Sequence, residues 1–468
     1  MANDCPSYLI NEFTNGVKTL NSSRRIWIKN PLATLDSECA GGVVIEGQTI
    51  VAVLASGASP VQPVDEVFDA REHVLLPGLI NSHHHFYQTL TRAFPQALNK
   101  SLFSWLKSLY PVWAKLGEEM IEVSTQVALA ELLLSGCTTA SDHHYLFPQG
   151  LENAIDIQMA QAEKLGVRVH LTRGSMSLGE EDGGLPPQST VQSEEAVLDD
   201  SERLISQYHQ SEAGAMSRVA LAPCSPFSVS ESLMRASAEL AQKYDVRLHT
   251  HLAETHDETA FCIKMFGLRP LDYLEKVGWL TDRVWLAHGI HFNDNEVRRL
   301  GAAGTGICHC PSSNMLLASG LCPTLDLEAA GSPVGLGVDG SASNDGSNMI
   351  QEVRQAFLLG RLKYDASEIT HQKVLSWATE GSARCLGRDD LGSLKVGQQA
   401  DIALFKLDEL RFAGAGDPLA ALVLCGAHQA DRVMVAGRWR VIDGAIVDYD
   451  IAQLIQRQKA LARKLAAN

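Results

Sequence analysis

From residue 74 to residue 340 short apolar runs alternate with longer amphipathic stretches. The first run opens the segment 74–92, Val-Leu-Leu-Pro-Gly-Leu-Ile-Asn-Ser-His-His-His-Phe-Tyr-Gln-Thr-Leu-Thr-Arg, and seven more follow at 137–144, 167–173, 218–224, 246–252, 283–289, 305–311 and 333–340. Runs of this length between turn residues read as buried strands. The intervening stretches, such as 121–135, 151–165, 229–244, 257–276 and 347–363, carry apolar residues at helical spacing. Eight strands alternating with helices predict an α/β fold, a (β/α)8 TIM-type barrel whose working face lies at the carboxyl ends of the strands.

Outside that region the texture changes. Residues 25–29, 42–46 and 49–54, and again 400–405, 431–437 and 440–444, are short strand-like runs separated by Gly, Asn and Asp. The two chain ends are therefore expected to pair into one small antiparallel β-sandwich, residues 1–75 with 392–449, flanking a catalytic barrel at 76–391. Residues 450–468 have helix-forming composition and are expected as a C-terminal surface helix.

The polar residues that end the barrel runs carry the candidate chemistry. Side chains alternate faces along a strand, so His83 and His85 point one way and His84 the other. A lone His-x-His is equally a solvated cluster, but His251 ends the fifth run, His288 the sixth and Asp339 the eighth. Three imidazoles and a carboxylate suit Zn²⁺, and Fe²⁺ accepts the same donors. Water on such an ion has a pKa lowered toward about 7. Glu254, three residues after His251, sits where a general base belongs, although a glutamate there could instead cap the following helix or pair with a Lys. Cys308 and Cys310 read as strand thiols more readily than as ligands.

Composition narrows the function class. The 468 residues are 45% hydrophobic and 20% charged, ordinary for a globular protein, and 39 basic against 55 acidic residues give a net charge of −16. That balance argues against nucleic acid and anionic membranes as partners. No stretch reaches the roughly 18 apolar residues of a membrane span, and the first residues lack a leader's basic and apolar regions, so a cytoplasmic protein is expected. Ten cysteines without a Cys-x-x-Cys pair are expected to be buried thiols.

The set Pro-Gly-Leu-Ile-Asn-x-His-x-His-x-x-Gln, His-Leu-Ala-Glu-Thr, Ala-His-Gly, His-Cys-Pro-x-Ser-Asn and Val-Asp-Gly-x-x-Ser-Asn resembles the amidohydrolase superfamily, in its cytosine/guanine deaminase and chlorohydrolase-like branch. The similarity spans nearly the whole chain, including Gly-Ser-Leu-Lys-Val-Gly-Gln-Gln-Ala-Asp at 392–401. It implies a metal on His83, His85, His251 and Asp339, with Glu254 and His288 as proton-transfer and polarising groups, and Asp339 also taking a proton from the attacking water. Some relatives hold two metals bridged by a carboxylated lysine on the fourth strand. The segment Arg218 to Phe227 has no lysine, so a single divalent ion and deamination of an amidine-like carbon are expected.

Resemblance also supplies the substrate expectation. Ser-Asp-His-His-Tyr-Leu-Phe (141–147), Gly-Gly-Leu-Pro-Pro (183–187) and Ala-Pro-Cys-Ser-Pro-Phe-Ser (222–228) most resemble bacterial 8-oxoguanine deaminases, which are similar in turn to hydroxyatrazine ethylaminohydrolases. The implied reaction converts 8-oxoguanine and water to urate and ammonia, with isocytosine also accepted, in a homo-oligomer. Gln88 resembles the amide that reads a ring carbonyl or amine, with a backbone-bonding role at a helix start as its alternative. Arg173 and Trp105 are expected at the pocket as carbonyl donor and wall, and one of His143, His144 and Tyr145 is expected to face the ligand.

Overall fold

The computed structural model describes residues 24–467. Its centre is an eight-stranded parallel sheet in chain order, Leu79–Asn81, Cys137–His144, Arg168–Ser175, Ser217–Pro223, Leu248–Leu252, Val284–His288, Gly306–His309 and Val334–Leu336. The ring closes between the first and last strands: Ser82 N–H donates to Leu336 O at 3.0 Å, Asp339 N–H to His83 O at 3.1 Å, and Val338 N–H to Asn81 Oδ1 at 2.9 Å. Helices clothe the outside, as the alternating pattern predicts.

Three expectations need correction. The opening apolar run is two strands in two sheets: His73–Pro77 belongs to the small β unit, Leu79–Asn81 to the barrel, and Gly78 turns between them against the Thr138 side chain. The stretch 257–276 is two helices, His256–Phe266 and Pro270–Lys276, because Gly267 adopts a left-handed cap at φ 71° and Pro270 starts the next helix. The small unit is mixed and not purely antiparallel, since Arg25–Lys29 pairs in parallel with Glu66–Asp69, and Ala33–Thr34 with His73–Pro77.

The chain ends meet in that unit. One four-stranded sheet is built from the amino-terminal segment alone, whereas the six-stranded sheet joins His73–Pro77 to Ile402–Lys406 and the strands after it. Strand alternation does the rest: Ile402 and Leu404 face Ile28, Val43 and Ile45 in the sandwich core, while Ala403 and Phe405 turn outward into the main core. Phe405 packs so closely at Gly136 that a Cβ there would sit 2.7 Å from its ring.

Ile451–Ala467 is the expected terminal helix, but it is sunk on one side. Leu454, Leu461 and Leu465 are buried in the main core, and Gln458 Nε2 donates to Thr89 O at 2.8 Å just after the histidine segment. The nine cysteines among the described residues are free thiols, and no helix among these residues is long and apolar enough to cross a membrane. The expectation drawn from the first residues lies outside the described chain.

A buried ion pair ties the small unit to the barrel. Arg168, at the start of the third barrel strand, donates through Nε and Nη2 to the two oxygens of Asp401, both at 3.0 Å, and through Nη1 to Gly214 O and Ala215 O. Asp401 also accepts from Ala436 N–H at 2.8 Å. Removing one partner of such a pair strands a buried charge, which typically costs about 3–5 kcal/mol. Arg168→Met and Asp401→Asn are therefore each expected to lower the unfolding free energy by an amount in that range and the denaturant midpoint with it, the asparagine because it leaves the Arg168 charge uncompensated and turns an amide N–H toward an arginine donor. Urea unfolding of both variants checks this; unchanged midpoints would show that the junction does not depend on the pair.

Candidate active site

The barrel delivers four candidate ligands to one point at the carboxyl ends of its strands. His83 Nε2 lies 3.3 Å and His85 Nε2 3.4 Å from Asp339 Oδ1, and His251 Nε2 is 3.2 Å from His85 Nε2. His84 turns the other way, bonding Ser347 Oγ at 2.9 Å, as strand alternation predicts. Gly337 lets the strands close here, because a Cβ on it would meet the His83 backbone N and Cβ at 2.9 Å.

The protonation pattern suits a metal. His85 Nδ1 faces His143 O and His251 Nδ1 faces Cys224 O, each at 2.7 Å. A carbonyl only accepts, so both Nδ1 atoms carry the proton and both Nε2 atoms present lone pairs. His83 Nε2 is buried without a hydrogen-bond donor. Burial holds the pKa values of His83, His85 and His251 down, that of His85 to about 3, so these rings are neutral. Burial would raise the pKa of Asp339, but its contact with His83 and the charge of His288, whose own pKa is raised, outweigh it and hold the carboxylate ionised. Converging neutral lone pairs and one carboxylate, with no proton to share, fit a divalent cation.

Glu254 and His288 stand beside that point. Their side chains approach to 3.6 Å, His288 Nε2 lies 3.8 Å from Asp339 Oδ2, and Ser319 Oγ donates to Glu254 Oε1 at 3.4 Å. Burial raises the pKa of Glu254; burial opposes charge on His288 too, yet the carboxylates of Glu254 and Asp339 outweigh it and raise its pKa. The helix-capping alternative for Glu254 is filled by its neighbour, since Thr255 caps the helix and accepts from Glu258 N–H.

Backbone strain concentrates here. Ala253, His288 and Asp339 adopt left-handed conformations at φ 54°, 71° and 62°, unusual for residues with a Cβ and costing on the order of 1–3 kcal/mol each. The bend at Ala253 is held by Glu258, whose carboxylate accepts from Ala253 N–H and Glu254 N–H, both at 2.9 Å. Asp142 braces the histidine segment similarly, accepting from Phe86 N–H at 2.6 Å and Gln158 Nε2 at 2.7 Å. Burial raises both carboxyls, each to about 7. Sequence reasoning missed both braces, because a buried carboxylate that accepts backbone N–H groups has no sequence pattern of its own.

A small cavity opens over the ligands, and His85, His251, Glu254, His288 and Asp339 form its polar floor. Of the expected substrate contacts, Gln88, Trp105 and Tyr145 line it. Trp105 is fixed by its indole N–H, which donates to Ala342 O at 3.0 Å, and Gln88 Oε1 accepts from Ala342 N–H at 3.3 Å. Arg173 is a correction: it lies outside the cavity, donating to Asp200 Oδ2 at 2.6 Å, Gln192 Oε1 at 3.0 Å and Gly174 O at 2.5 Å, with its guanidinium over Phe147. Among residues 143–145, Tyr145 faces the cavity, while His143 bonds Ala222 O at 2.8 Å and stacks on His251 from behind. The walls unforeseen in the sequence are Leu102, Leu106 and Tyr110 of the helix Leu102–Trp113, with Phe227, Leu317 and Ser343 from later loops. Only the helical spacing of 102, 106 and 110 could have signalled them.

Comparison with known proteins agrees with this geometry. The model of the amidohydrolase family matches residues 74–440. The 8-oxoguanine deaminase of Pseudomonas aeruginosa is 65% identical over 446 residues, covering 95% of this chain and 99% of that protein. The hydroxydechloroatrazine ethylaminohydrolase of a Pseudomonas species is 38% identical, over 86% of this chain and 84% of its own. Among solved structures, the atrazine chlorohydrolase of Arthrobacter aurescens complexed with zinc superposes with a TM-score of 0.89 at 35% identity, covering 93% of this chain and all of that one. A barrel with this histidine and aspartate floor, matched over most of its length, places the chain in the amidohydrolase family.

Proposed function

We propose that this hydrolase deaminates 8-oxoguanine, releasing urate and ammonia, and that isocytosine is a second substrate. The observation that carries the reading is the 65% identity over nearly the full length of the P. aeruginosa deaminase, supported by a cavity floored by His85, His251, Glu254, His288 and Asp339. His83, His85, His251 and Asp339 would hold one divalent ion, and Zn²⁺ is the assignment supported by the imidazole-rich donor set and by the zinc of the chlorohydrolase structure. The bound ion would supply a lowered water pKa and hence a nucleophile at neutral pH.

The remaining steps belong to side chains of this chain. Asp339 Oδ2, on the side of His288, accepts a proton from the attacking water. His288 Nδ1 faces Asn314 Oδ1 at 3.0 Å, which orients Nε2 toward the Glu254 and Asp339 carboxylates and toward the oxygen added to the substrate carbon. Glu254, buried and therefore basic for a carboxylate, takes one proton of the attacking water and passes it to a ring nitrogen flanking that carbon, and the proton held by Asp339 goes to the departing amine. A C–O bond forms, the exocyclic C–N bond breaks, and ammonia leaves. Trp105, Leu106, Tyr110 and Phe227 provide flat apolar walls suited to a planar heterocycle, and the mostly buried lining limits stray water.

Isocytosine presents the same 2-amino-4-oxo ring as 8-oxoguanine, so it fits the catalytic half of the cavity. Guanine differs at the other ring, where an acceptor nitrogen replaces a donor beside a carbonyl. A cavity arranged for the donor leaves buried groups unpaired with guanine, a mismatch worth several orders of magnitude in kcat/KM.

Two outcomes follow. Ammonia release across 8-oxoguanine, isocytosine, guanine, cytosine and hydroxyatrazine should be fastest with 8-oxoguanine and clearly measurable with isocytosine. Guanine or hydroxyatrazine turning over best would overturn the substrate while leaving the site intact. Glu254→Gln should bind metal normally and lose about 10²–10⁴-fold in kcat. Near-normal turnover in that variant would move the proton-transfer role to His288 or Asp339.

A further inference from the structure

Behind the ligand cluster, one step deeper in the barrel, lies His249, a ring that the reaction described above does not use. It sits two residues before His251 on the strand Leu248–Leu252, fully buried, with its face on the Trp285 indole at 4.4 Å between centroids and 15° between planes. Both its nitrogens are engaged: Nδ1 faces Trp285 O at 2.8 Å and Nε2 faces His83 Nδ1 at 2.8 Å.

These two distances fix every proton in the chain. Trp285 O only accepts, so His249 Nδ1 carries a hydrogen. A second proton on His249 would be a buried charge whose hydrogen-bond partners are a carbonyl and another imidazole, so Nε2 is bare. His83 Nδ1 must then be the donor, and the His83 lone pair is left on Nε2, the atom that points at Asp339. The reverse tautomer would put a proton where the ion belongs. A separation of 2.8 Å is also too short for a cation between the two rings, although His83, His143 and His249 come close enough together to resemble a second site.

We propose that His249 is the positioning residue that makes His83 a metal ligand, through the relay from Trp285 O to His249 to His83. The inference rests on the metal reading of the cluster. What singles His249 out is a contrast with the other ligands: His85 and His251 are locked by the backbone carbonyls of His143 and Cys224, which no substitution removes, whereas His83 is locked by a side chain. Outer partners of ligating histidines typically carry about 10–100-fold in metal affinity.

Two amides test this, because they reach different nitrogens of the ring they replace. His249→Asn places its polar atoms near the former Nδ1, so it keeps Trp285 O and cannot reach His83. His249→Gln extends to the former Nε2 and can still accept from His83. Zn²⁺ affinity by competition with a chromogenic chelator, and the visible spectrum of the Co²⁺-loaded protein, give readouts that do not depend on turnover. Asn should weaken Zn²⁺ binding about 10–100-fold and alter the Co²⁺ bands, while Gln restores most of the affinity and the parent spectrum. Equal affinity in the parent and the Asn variant, or equal loss in Asn and Gln, would overturn the proposal and leave His249 as core packing. Absence of Zn²⁺ binding in the parent protein would instead overturn the metal reading on which it stands. If the Asn variant does not fold, Trp285→Phe gives an independent arm: it removes the stacked indole and keeps the carbonyl, so the affinity should be largely retained, and a loss as large as 10-fold would contradict the relay.

Discussion

The structure depends on one unfavourable arrangement: three neutral imidazole nitrogens and an ionised carboxylate aimed at the same buried point, within 3.2–3.4 Å of one another along His251, His85 and Asp339. None of the three Nε2 atoms carries a hydrogen with which to satisfy the others, and the open lone pair of His83 is buried. A divalent cation would satisfy such a set. Much of the surrounding architecture exists to impose it. The left-handed backbones at His288 and Asp339 re-aim those side chains toward the cluster, the Glu258 carboxylate holds the bend before Glu254, and Asp142 anchors the segment after His85. The rigidity of an eight-stranded ring, closed by Asp339 and His83 themselves, makes that strain tolerable.

The candidate groups were legible in the sequence because each lies at or just past the end of a barrel strand, and a strand end is a place that period and turn residues mark. His83 and His85, separated by one residue, necessarily share a face. His251, His288 and Asp339 fall at the ends of the fifth, sixth and eighth apolar runs. The paired chain ends were legible for a related reason: Ile402, Ala403, Leu404 and Phe405 alternate between two cores, and all four are apolar because both faces of that strand are buried.

What was not legible depends on long-range placement. Arg173 ends a barrel strand as His251 does, yet Asp200 and Gln192, from a distant loop and helix, draw its guanidinium away from the cavity. Glu258 and Asp142 look like ordinary polar residues until their backbone donors are seen. The run 74–81 reads as a single strand because the two sheets it enters are both buried, so nothing in hydrophobicity marks the passage from one to the other at Gly78. The cavity walls come from a helix that precedes the second barrel strand and folds back over the mouth of the barrel, a tertiary fact with no local signature.

On the proposed reading, one cation completes this cluster and catalysis requires it. Stepwise return of Zn²⁺ to chelator-stripped protein, with bound metal and ammonia release from 8-oxoguanine measured on the same samples, tests it most directly. The stripped protein should show no turnover, and activity should recover linearly with a break at one equivalent per chain. Full activity without metal, or a break at two equivalents, would contradict it.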